Sequence, residues 1–291
     1  MIIVTGASGH LGRQTIRELV GRVEASRVMA VSRTPGTLID LGVAARFGDF
    51  DDQDSLVEAF DGAERVLIVS VTGADRFPRH RRAIDAAAEA GVGHIVFTSF
   101  SRADEPDNPS PHIDEYRATE RHLVAAGVPF TALRFNLWPE TMNEVGVAAR
   151  AVASGRLPSN AEDRRVGYIT RDDSAAVCAA VLAQGTDCED QGRFLEVTGP
   201  AGVTDAEVAA ALAEATGRPV RHQPVADDEI IAALVAIGLA EPFARGWGAI
   251  GIAKRTGWFD TTTRQFEALT GRTATSVAEF FTRQRTILLG G

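Results

Sequence analysis

The chain has 291 residues with a hydrophobic content of 45%, which fits one large domain or a domain with a substantial appendage. Its net charge of −9 argues against nucleic acid or an anionic membrane as a general partner. No apolar run approaches the roughly 18 residues that a membrane-spanning helix needs, and no cysteine spacing suits a metal, so we expect a metal-free cytoplasmic protein.

The first predicted element is a short apolar strand, residues 2–5, followed by glycines at three-residue spacing and by an amphipathic helix. In this arrangement Gly6 lets the chain turn, Gly9 lets backbone approach a pyrophosphate, and Gly12 lets the helix pack on the strand. The free amides and the positive dipole end of the helix then form an anion site. The residues predicted to bind a dinucleotide here are Gly6, Ser8, Gly9, His10, Leu11 and Gly12.

The second predicted strand, Arg27–Ser32, ends where a dinucleotide enzyme selects between its two coenzymes. An enzyme that prefers NAD usually places Asp or Glu about 20 residues beyond the glycines, where it binds the ribose 2′-hydroxyl. The corresponding residues are Ser32 and Arg33, and Arg13 directly follows the last glycine. Because a guanidinium matches phosphate geometry, Arg33 and Arg13 are candidates to bind a 2′-phosphate, and NADP(H) is the expected cofactor. The alternative is a solvated loop charge for Arg33 and an exposed helix residue for Arg13.

Further predicted strands alternate with helical segments up to the middle of the chain. These strands are residues 44–49, 65–71, 94–100 and 130–136. The alternation predicts a Rossmann-type, doubly wound parallel α/β sheet, in which ligands gather at the carboxyl ends of the strands. Asp49 and Phe50 are accordingly candidates to border the adenine, with simple packing as the alternative for Phe50. The other strand-end residues expected to face the cofactor are Ser70, Val71, Thr98 and Ser99.

Beyond residue 138 the alternation of strands and helices stops. Most of this half has the pattern of helices, including one over residues 141–154, with an apolar strand at 194–198. We therefore predict an NAD(P)-binding domain over residues 1–138 and a smaller, mostly helical domain over 139–291 that caps the substrate. The strand at 194–198 is a candidate to extend the main sheet.

Several segments form a recognisable set. They are GASGHLG from residue 6, VSR from 31, GDFDD from 48, TSF from 98, LRFNLWPE from 133, and LTGR followed by SVAEFF near the end. Together they resemble the NmrA-like branch of the atypical short-chain dehydrogenases/reductases, and within it the type-2 NAD(P)H:quinone oxidoreductases. The resemblance covers essentially the full length. It implies a Rossmann domain, a preference for NADP(H), and a small C-terminal domain that bounds the substrate cleft.

The chain departs from this superfamily at its catalytic dyad, a tyrosine and a lysine four residues later that lowers the pKa of the phenol. Tyr116 lies in the matching region, but Glu120 stands four residues on, and the only lysine is Lys254. Tyr116 is a candidate catalytic residue, with an aromatic on the helix surface as the alternative. The resemblance implies Ser99 as an active-site hydroxyl, with a strand-end cap as the alternative. Asn136 ends a strand and is a candidate to bind the nicotinamide amide or the substrate, with a turn residue as the alternative.

The missing dyad bears on the chemistry. Hydride transfer to a simple ketone makes an alkoxide that needs a positioned acid, whereas transfer to a quinone makes a resonance-stabilised phenolate. We therefore expect an NADPH-dependent oxidoreductase that transfers hydride to a quinone or a similar conjugated carbonyl. The substrate ring would lie over the nicotinamide, beside an apolar wall of Phe100, Phe135 and Trp138, with packing in the core as the alternative for each.

Two other functions fit the same sequence features. NmrA-like proteins include regulators that bind NAD(P) and a protein partner without catalysis, and the missing dyad suits that interpretation as well. Reduction of one specific metabolite in a biosynthetic pathway is the third interpretation, and it requires a catalytic Tyr116. For the enzyme, the expected partner is a quinone-like small molecule, and the chain is expected to be a monomer or a homodimer.

Overall fold

The computed structural model describes residues 1–73, 75–184 and 192–290. Its strands are β1 (Ile2–Val4), β2 (Val28–Ser32), β3 (Ala44–Phe47), β4 (Arg65–Ile68), β5 (His94–Phe100), β6 (Phe130–Phe135), β7 (Arg156–Ser159), β8 (Arg193–Val197) and β9 (Arg221–Pro224). Its helices are α1 (His10–Val20), α2 (Gln53–Phe60), α3 (Arg76–Glu89), α4 (Ile113–Ala125), α5 (Glu140–Glu144), α6 (Val147–Ser154), α7 (Arg171–Ala183), α8 (Asp205–Thr216), α9 (Asp227–Ala236), α10 (Glu241–Arg255), α11 (Gln265–Thr270), α12 (Val277–Arg283) and α13 (Arg285–Leu288).

Seven of the strands form one parallel sheet in the order β3–β2–β1–β4–β5–β6–β8. β1 lies between β2 and β4, with Ile3 opposite Met29 on one side and Val66 on the other. The strands β1, β2, β4 and β6 are buried along their whole length, which explains their largely apolar sequences. The strand order reverses between β1 and β4, which opens a crevice at their carboxyl ends. The predicted Rossmann-type fold is confirmed.

Helices cover both faces of this sheet. On one face α1, α7 and α11 pack over the strands, and Ile16 and Val177 are buried in the core that results. On the other face α2, α3 and α4 form a second core around Phe60, Ile84 and Leu123. Among the described helices, none is long and apolar enough to cross a membrane.

The second half of the chain builds a smaller, mostly helical unit around a third core, in which Leu212 and Phe281 are fully buried. This unit also carries a two-stranded parallel sheet, formed by β7 and β9. The strand predicted at residues 194–198 is β8, and it pairs with β6 at the end of the main sheet. We propose that residues 139–291 form the substrate-side unit while contributing α7 and β8 to the main sheet and its covering layer.

Two local features of this unit differ from the prediction. The helix expected over residues 141–154 is divided into α5 and α6, because Gly146 between them has a left-handed φ of +74°. The strand β7 has no counterpart in the sequence prediction. It is short, its residues alternate irregularly between polar and apolar, and Pro158 within it weakens the strand signal.

Candidate functional site

The glycine turn between β1 and α1 is tight. Gly6 has a left-handed φ of +61°, and the Gly9 amide donates to the Gly6 carbonyl oxygen at 2.9 Å. A Cβ on Gly12 would lie 2.4 Å from that same oxygen, so the helix meets the turn backbone to backbone. Gly9 is also the N-cap of α1 and has no side chain to bond the first helical amides. These amides are therefore available to an anion such as a pyrophosphate.

A cleft of about 350 Å³ opens beside this turn, at the carboxyl ends of β1, β2, β3 and β4. The predicted cofactor residues that line it are Gly6, Ser8, Gly9, Arg33, Asp49, Phe50, Ser70 and Val71. Lining residues that the sequence pattern did not identify include Val31, Asp51, Val69 and Arg79. Most of these could have been found, because they adjoin predicted strand ends. Arg79 could not, because it reaches the cleft from α3, and the sequence does not say which face of that helix points inward.

Two arginines line the cleft, and they differ in whether a carboxylate already binds the guanidinium. Arg79 donates from Nε and Nη2 to the two carboxylate oxygens of Asp51, at 2.9 and 2.8 Å. This hydrogen-bonded guanidinium holds the pKa of Asp51 below its usual range, so Asp51 stays charged and keeps Arg79 engaged. Arg33 follows β2 and is exposed, and no carboxylate within the described ranges forms a salt bridge with it. Arg33 is thus the lining guanidinium that is available to a phosphate.

The predicted cofactor residues on α1 lie beside the cleft and do not line it. The His10 Nε2 atom is 2.9 Å from a carboxylate oxygen of Asp172. Arg13 donates to both oxygens of Asp40, at 2.7 and 2.6 Å, and residues 11 and 12 are buried. We propose that Arg13 braces the loop after β2, while residues 10–12 contribute backbone amides at the start of the helix.

The turn after β4 links the cleft to Tyr116. Ser70 lines the cleft, its amide donates to Thr98 Oγ1 at 2.8 Å, and the buried Thr98 hydroxyl donates to Ser70 Oγ at 3.1 Å. The Tyr116 hydroxyl lies 3.5 Å from Ser70 Oγ, and its ring stacks on Phe100 with the centroids 5.6 Å apart. The helix α4 therefore brings the phenol next to Ser70, a residue that lines the cleft, and the catalytic role of Tyr116 stays a prediction.

Ser99 belongs to a polar group around a buried ion pair, which we call the Arg134 cluster: Ser99, Glu120 and Arg134 are buried, Glu196 is half-buried and Asp104 is exposed. The Ser99 hydroxyl donates to Glu120 Oε1 at 2.7 Å, and Arg134 donates to both Glu120 oxygens at 2.9 and 2.7 Å. Arg134 also lies 2.8 Å from Asp104 and 3.6 Å from Glu196, whose pKa is raised by burial. We propose that Ser99 serves this cluster and does not touch the reacting groups.

The single lysine of the chain lies in the substrate-side unit. Lys254 Nζ is 3.2 Å from a carboxylate oxygen of Asp205 and 5.3 Å from the centroid of the Tyr168 ring. Although burial opposes its charge, Asp205 raises the pKa of Lys254 above the ordinary value. Burial raises the pKa of Tyr168 to about 12, which is the opposite of what a catalytic dyad needs. Lys254 therefore does not take the place of the dyad lysine beside Tyr116, where the residue four positions on is Glu120.

Asn136 holds the end of β6 in place. Its Nδ2 donates to the Phe259 carbonyl oxygen at 3.2 Å, and its Oδ1 accepts from the Leu137 amide at 2.7 Å. Asn136 is also 2% exposed, so both ends of its amide are occupied by the protein. We propose that Asn136 shapes the site through these contacts and does not bind the nicotinamide itself.

The residues of the predicted apolar wall lie in different places. Phe100 is partly exposed and packs edge-on against Phe259, with the ring centroids 5.7 Å apart. Phe135 is buried in the core beneath the sheet. Trp138 packs against that core and donates from its indole nitrogen to Ser174 Oγ at 3.0 Å. Of the three, Phe100 is the one that lies between Tyr116, next to the cleft, and Phe259 of the substrate-side unit.

Known proteins are similar to this chain in both sequence and fold. A family described as NAD(P)H-binding matches residues 6–185. The chain is 32% identical over 284 residues to quinone oxidoreductase 2 of Escherichia coli (strain K12), covering 96% of each chain.

Two solved structures extend the similarity to the whole fold. The NADPH-dependent quinone oxidoreductase of E. coli, complexed with NADPH, has a TM-score of 0.90 at 30% identity, covering 98% of this chain and 99% of that one. The triphenylmethane reductase of Citrobacter sp., complexed with NADP(H), has a TM-score of 0.88 at 32% identity, covering 98% of this chain and 99% of that one. The chain therefore belongs to the NAD(P)H-binding, NmrA-like family of atypical short-chain dehydrogenases/reductases.

Proposed function

We propose that this protein reduces a quinone, or a similarly conjugated carbonyl compound, with hydride from NADPH. Its family makes it an NAD(P)H-dependent oxidoreductase. The proposal of a quinone substrate rests on the replacement of the dyad lysine. Glu120 occupies the place of that lysine, and Arg134 neutralises the charge of the Glu120 carboxylate. The lysine that the chain does have is bound to Asp205. A substrate whose reduced form needs no strong acid suits such a site.

The cleft fits NADPH in its shape and its charges. The glycine turn leaves the first amides of α1 available to a pyrophosphate, since the N-cap residue Gly9 has no side chain to bond them. Arg33 would hold the 2′-phosphate, and Asp49 with Phe50 would border the adenine. Ser70 and Val71 would lie along the rest of the dinucleotide. When bound, NADPH supplies a hydride from its nicotinamide ring.

The chain's own residues then have little chemistry to perform beyond positioning. Reduction of a quinone leaves negative charge on an oxygen that the aromatic ring stabilises, so solvent or a weak donor can protonate it. The Tyr116 hydroxyl, next to Ser70 at the edge of the cleft, is the side chain placed to act as that weak donor. Phe100, stacked on Tyr116, offers a flat apolar surface for an aromatic ring.

The alternative of a non-catalytic regulator is not favoured. Several relatives that align over nearly the whole chain are named as reductases or oxidoreductases, among them quinone oxidoreductase 2 and a Xenophilus azovorans azoreductase. The azoreductase and triphenylmethane reductase names also describe conjugated, aromatic acceptors, which agrees with the substrate class proposed here.

The first test is NADPH consumption with a panel of small quinones, beside a set of simple aliphatic ketones and a control without acceptor. We expect turnover with quinones and none with ketones. The Tyr116→Phe variant should keep more than about a tenth of the quinone activity, because a solvent proton can replace the phenol. Turnover of ketones that Tyr116→Phe abolishes would mean that the phenol is an essential acid, and the quinone proposal would fall.

A second prediction concerns the choice of coenzyme. Arg33→Ser should weaken NADPH binding about ten- to a hundredfold, because a charge-assisted contact to phosphate is lost, and should leave NADH affinity nearly unchanged. Titration of each coenzyme by the quenching of protein fluorescence measures both values. Arg22→Ser is the matched control, since Arg22 is exposed just beyond the other end of α1. Equal loss of NADPH and NADH affinity in Arg33→Ser would contradict the assignment.

A further inference from the structure

The turn after β4 has an unusual set of anchors. Three consecutive backbone amides, those of residues 69–71, each donate to a buried side chain from a different element. The acceptors are Thr5 Oγ1 at 3.0 Å for residue 69, Thr98 Oγ1 at 2.8 Å for residue 70, and His80 Nε2 at 3.0 Å for residue 71. Thr5 follows β1, Thr98 lies on β5, and His80 lies on α3. The turn is therefore fixed from three directions.

The hydrogen bonds around His80 determine which ring nitrogen carries the proton. Nε2 accepts from the Val71 amide, so the hydrogen must be on Nδ1, which lies 3.0 Å from Thr119 Oγ1. Thr119 gives its own hydrogen to the Glu115 carbonyl oxygen at 2.8 Å, so it is free to accept. His80 is completely buried, and this burial lowers its pKa to about 3. The ring is thus a neutral acceptor with one fixed tautomer.

The turn that His80 anchors is one wall of the cleft. Val69, Ser70, Val71 and Thr72 all line it. The turn also touches the opposite wall, because a Cβ on Gly6 would lie 3.2 Å from the Val69 side chain. Movement of residues 69–72 would consequently change the width of the cleft beside the glycine turn.

We propose that His80 is a positioning residue for the coenzyme: it holds residues 69–72, the turn after β4, in place beside the glycine turn without touching the dinucleotide. The proposal rests on the placement of NADPH in this cleft. A buried aromatic that packed equally well, but accepted no hydrogen bond, would leave the Val71 amide unpartnered and free to pull the turn out of shape. The expected consequence is weaker coenzyme binding at nearly unchanged kcat under saturation.

The test compares NADPH dissociation constants, kcat and melting temperatures of three variants. His80→Phe keeps the ring against Phe97 and removes the acceptor, and we expect its Kd for NADPH to rise about tenfold. His80→Gln can accept from the Val71 amide and donate to Thr119, so it should recover most of the affinity. His94→Phe is the control, because His94 is also buried and is hydrogen-bonded to a threonine, Thr131. His94 begins β5, at the end of that strand away from the cleft. His94→Phe should lower the melting temperature and leave Kd unchanged.

The outcomes separate a positioning role from a merely structural one. If His80→Phe binds NADPH within about twofold of wild type, or if His94→Phe weakens binding as much, the proposal is wrong. Should His80→Phe fail to fold, His80→Asn replaces it, since this amide is too short to reach the Val71 amide and is compared directly with His80→Gln. Failure of the cofactor placement itself is distinguishable: Gly12→Ala would then bind NADPH like wild type.

Discussion

Gly12→Ala is expected to reduce NADPH affinity by more than about a hundredfold. A Cβ at this position would lie 2.4 Å from the Gly6 carbonyl oxygen and 2.8 Å from its carbon, and both are backbone atoms that cannot rotate away. The start of α1 must therefore shift relative to the glycine turn, and its first amides no longer meet the pyrophosphate. Calorimetric titration with NADPH measures the loss directly, and quinone turnover should fall with it.

The control for this prediction is Gly246→Ala. Gly246 is also a helical glycine, on α10, and a Cβ there would meet no atom within 4 Å. Alanine should be neutral or stabilise the helix by up to about 1 kcal/mol, with NADPH binding intact. Normal binding by Gly12→Ala, beside a normal Gly246→Ala, would show that the dinucleotide lies elsewhere.

Arg134→Met is expected to destabilise the protein by about 3–5 kcal/mol, because it leaves Glu120 without its cation in a buried site. The side chains of Arg134 and Glu120 are 8% and 5% exposed, and Arg134 also faces Asp104 and Glu196. Without Arg134, no positive charge would offset the repulsion among the carboxylates of Glu120, Asp104 and Glu196. Equilibrium unfolding in urea measures the change in the free energy of unfolding.

Two further variants identify the cause of this destabilisation. Arg134→Met combined with Glu120→Gln should recover part of the lost free energy, since the uncompensated charge is gone. Arg264→Met breaks an exposed ion pair with Glu267 and should change the free energy by less than about 1 kcal/mol. A change below about 1 kcal/mol in Arg134→Met would mean that the Arg134 cluster contributes no more than a surface pair.

The strand ends of the main sheet were predictable because their signals are local. Three glycines between an apolar strand and an amphipathic helix define the turn at residues 6–12 without reference to the rest of the chain. Ser70 and Val71 could be placed at the cleft by one further rule, that parallel strands end at the same edge of the sheet. The structure brings both to the cleft beside Gly6 and Gly9.

The partners of the polar side chains could not be predicted, because they are far away in sequence. Arg13 meets Asp40, 27 residues on, and this separation gave no sign that its guanidinium would be occupied. Ser99 meets Glu120 across 21 residues, from a strand to a helix. The position of Glu120 relative to Tyr116 was visible in the sequence, but its neutralisation by Arg134 required the pairing of β5 with β6 beside α4.

The path of the chain between its cores limits how the substrate-side unit can move. The chain leaves the main sheet after β6, returns for α7 and β8, leaves again for α8, and returns once more at α11, where Phe266 enters the core beneath the sheet. A swinging lid needs a hinge of one or two flexible strands, and here every crossing would have to bend together. We therefore expect a substrate to enter and leave through the motion of side chains and short loops, without a hinged opening of the whole unit.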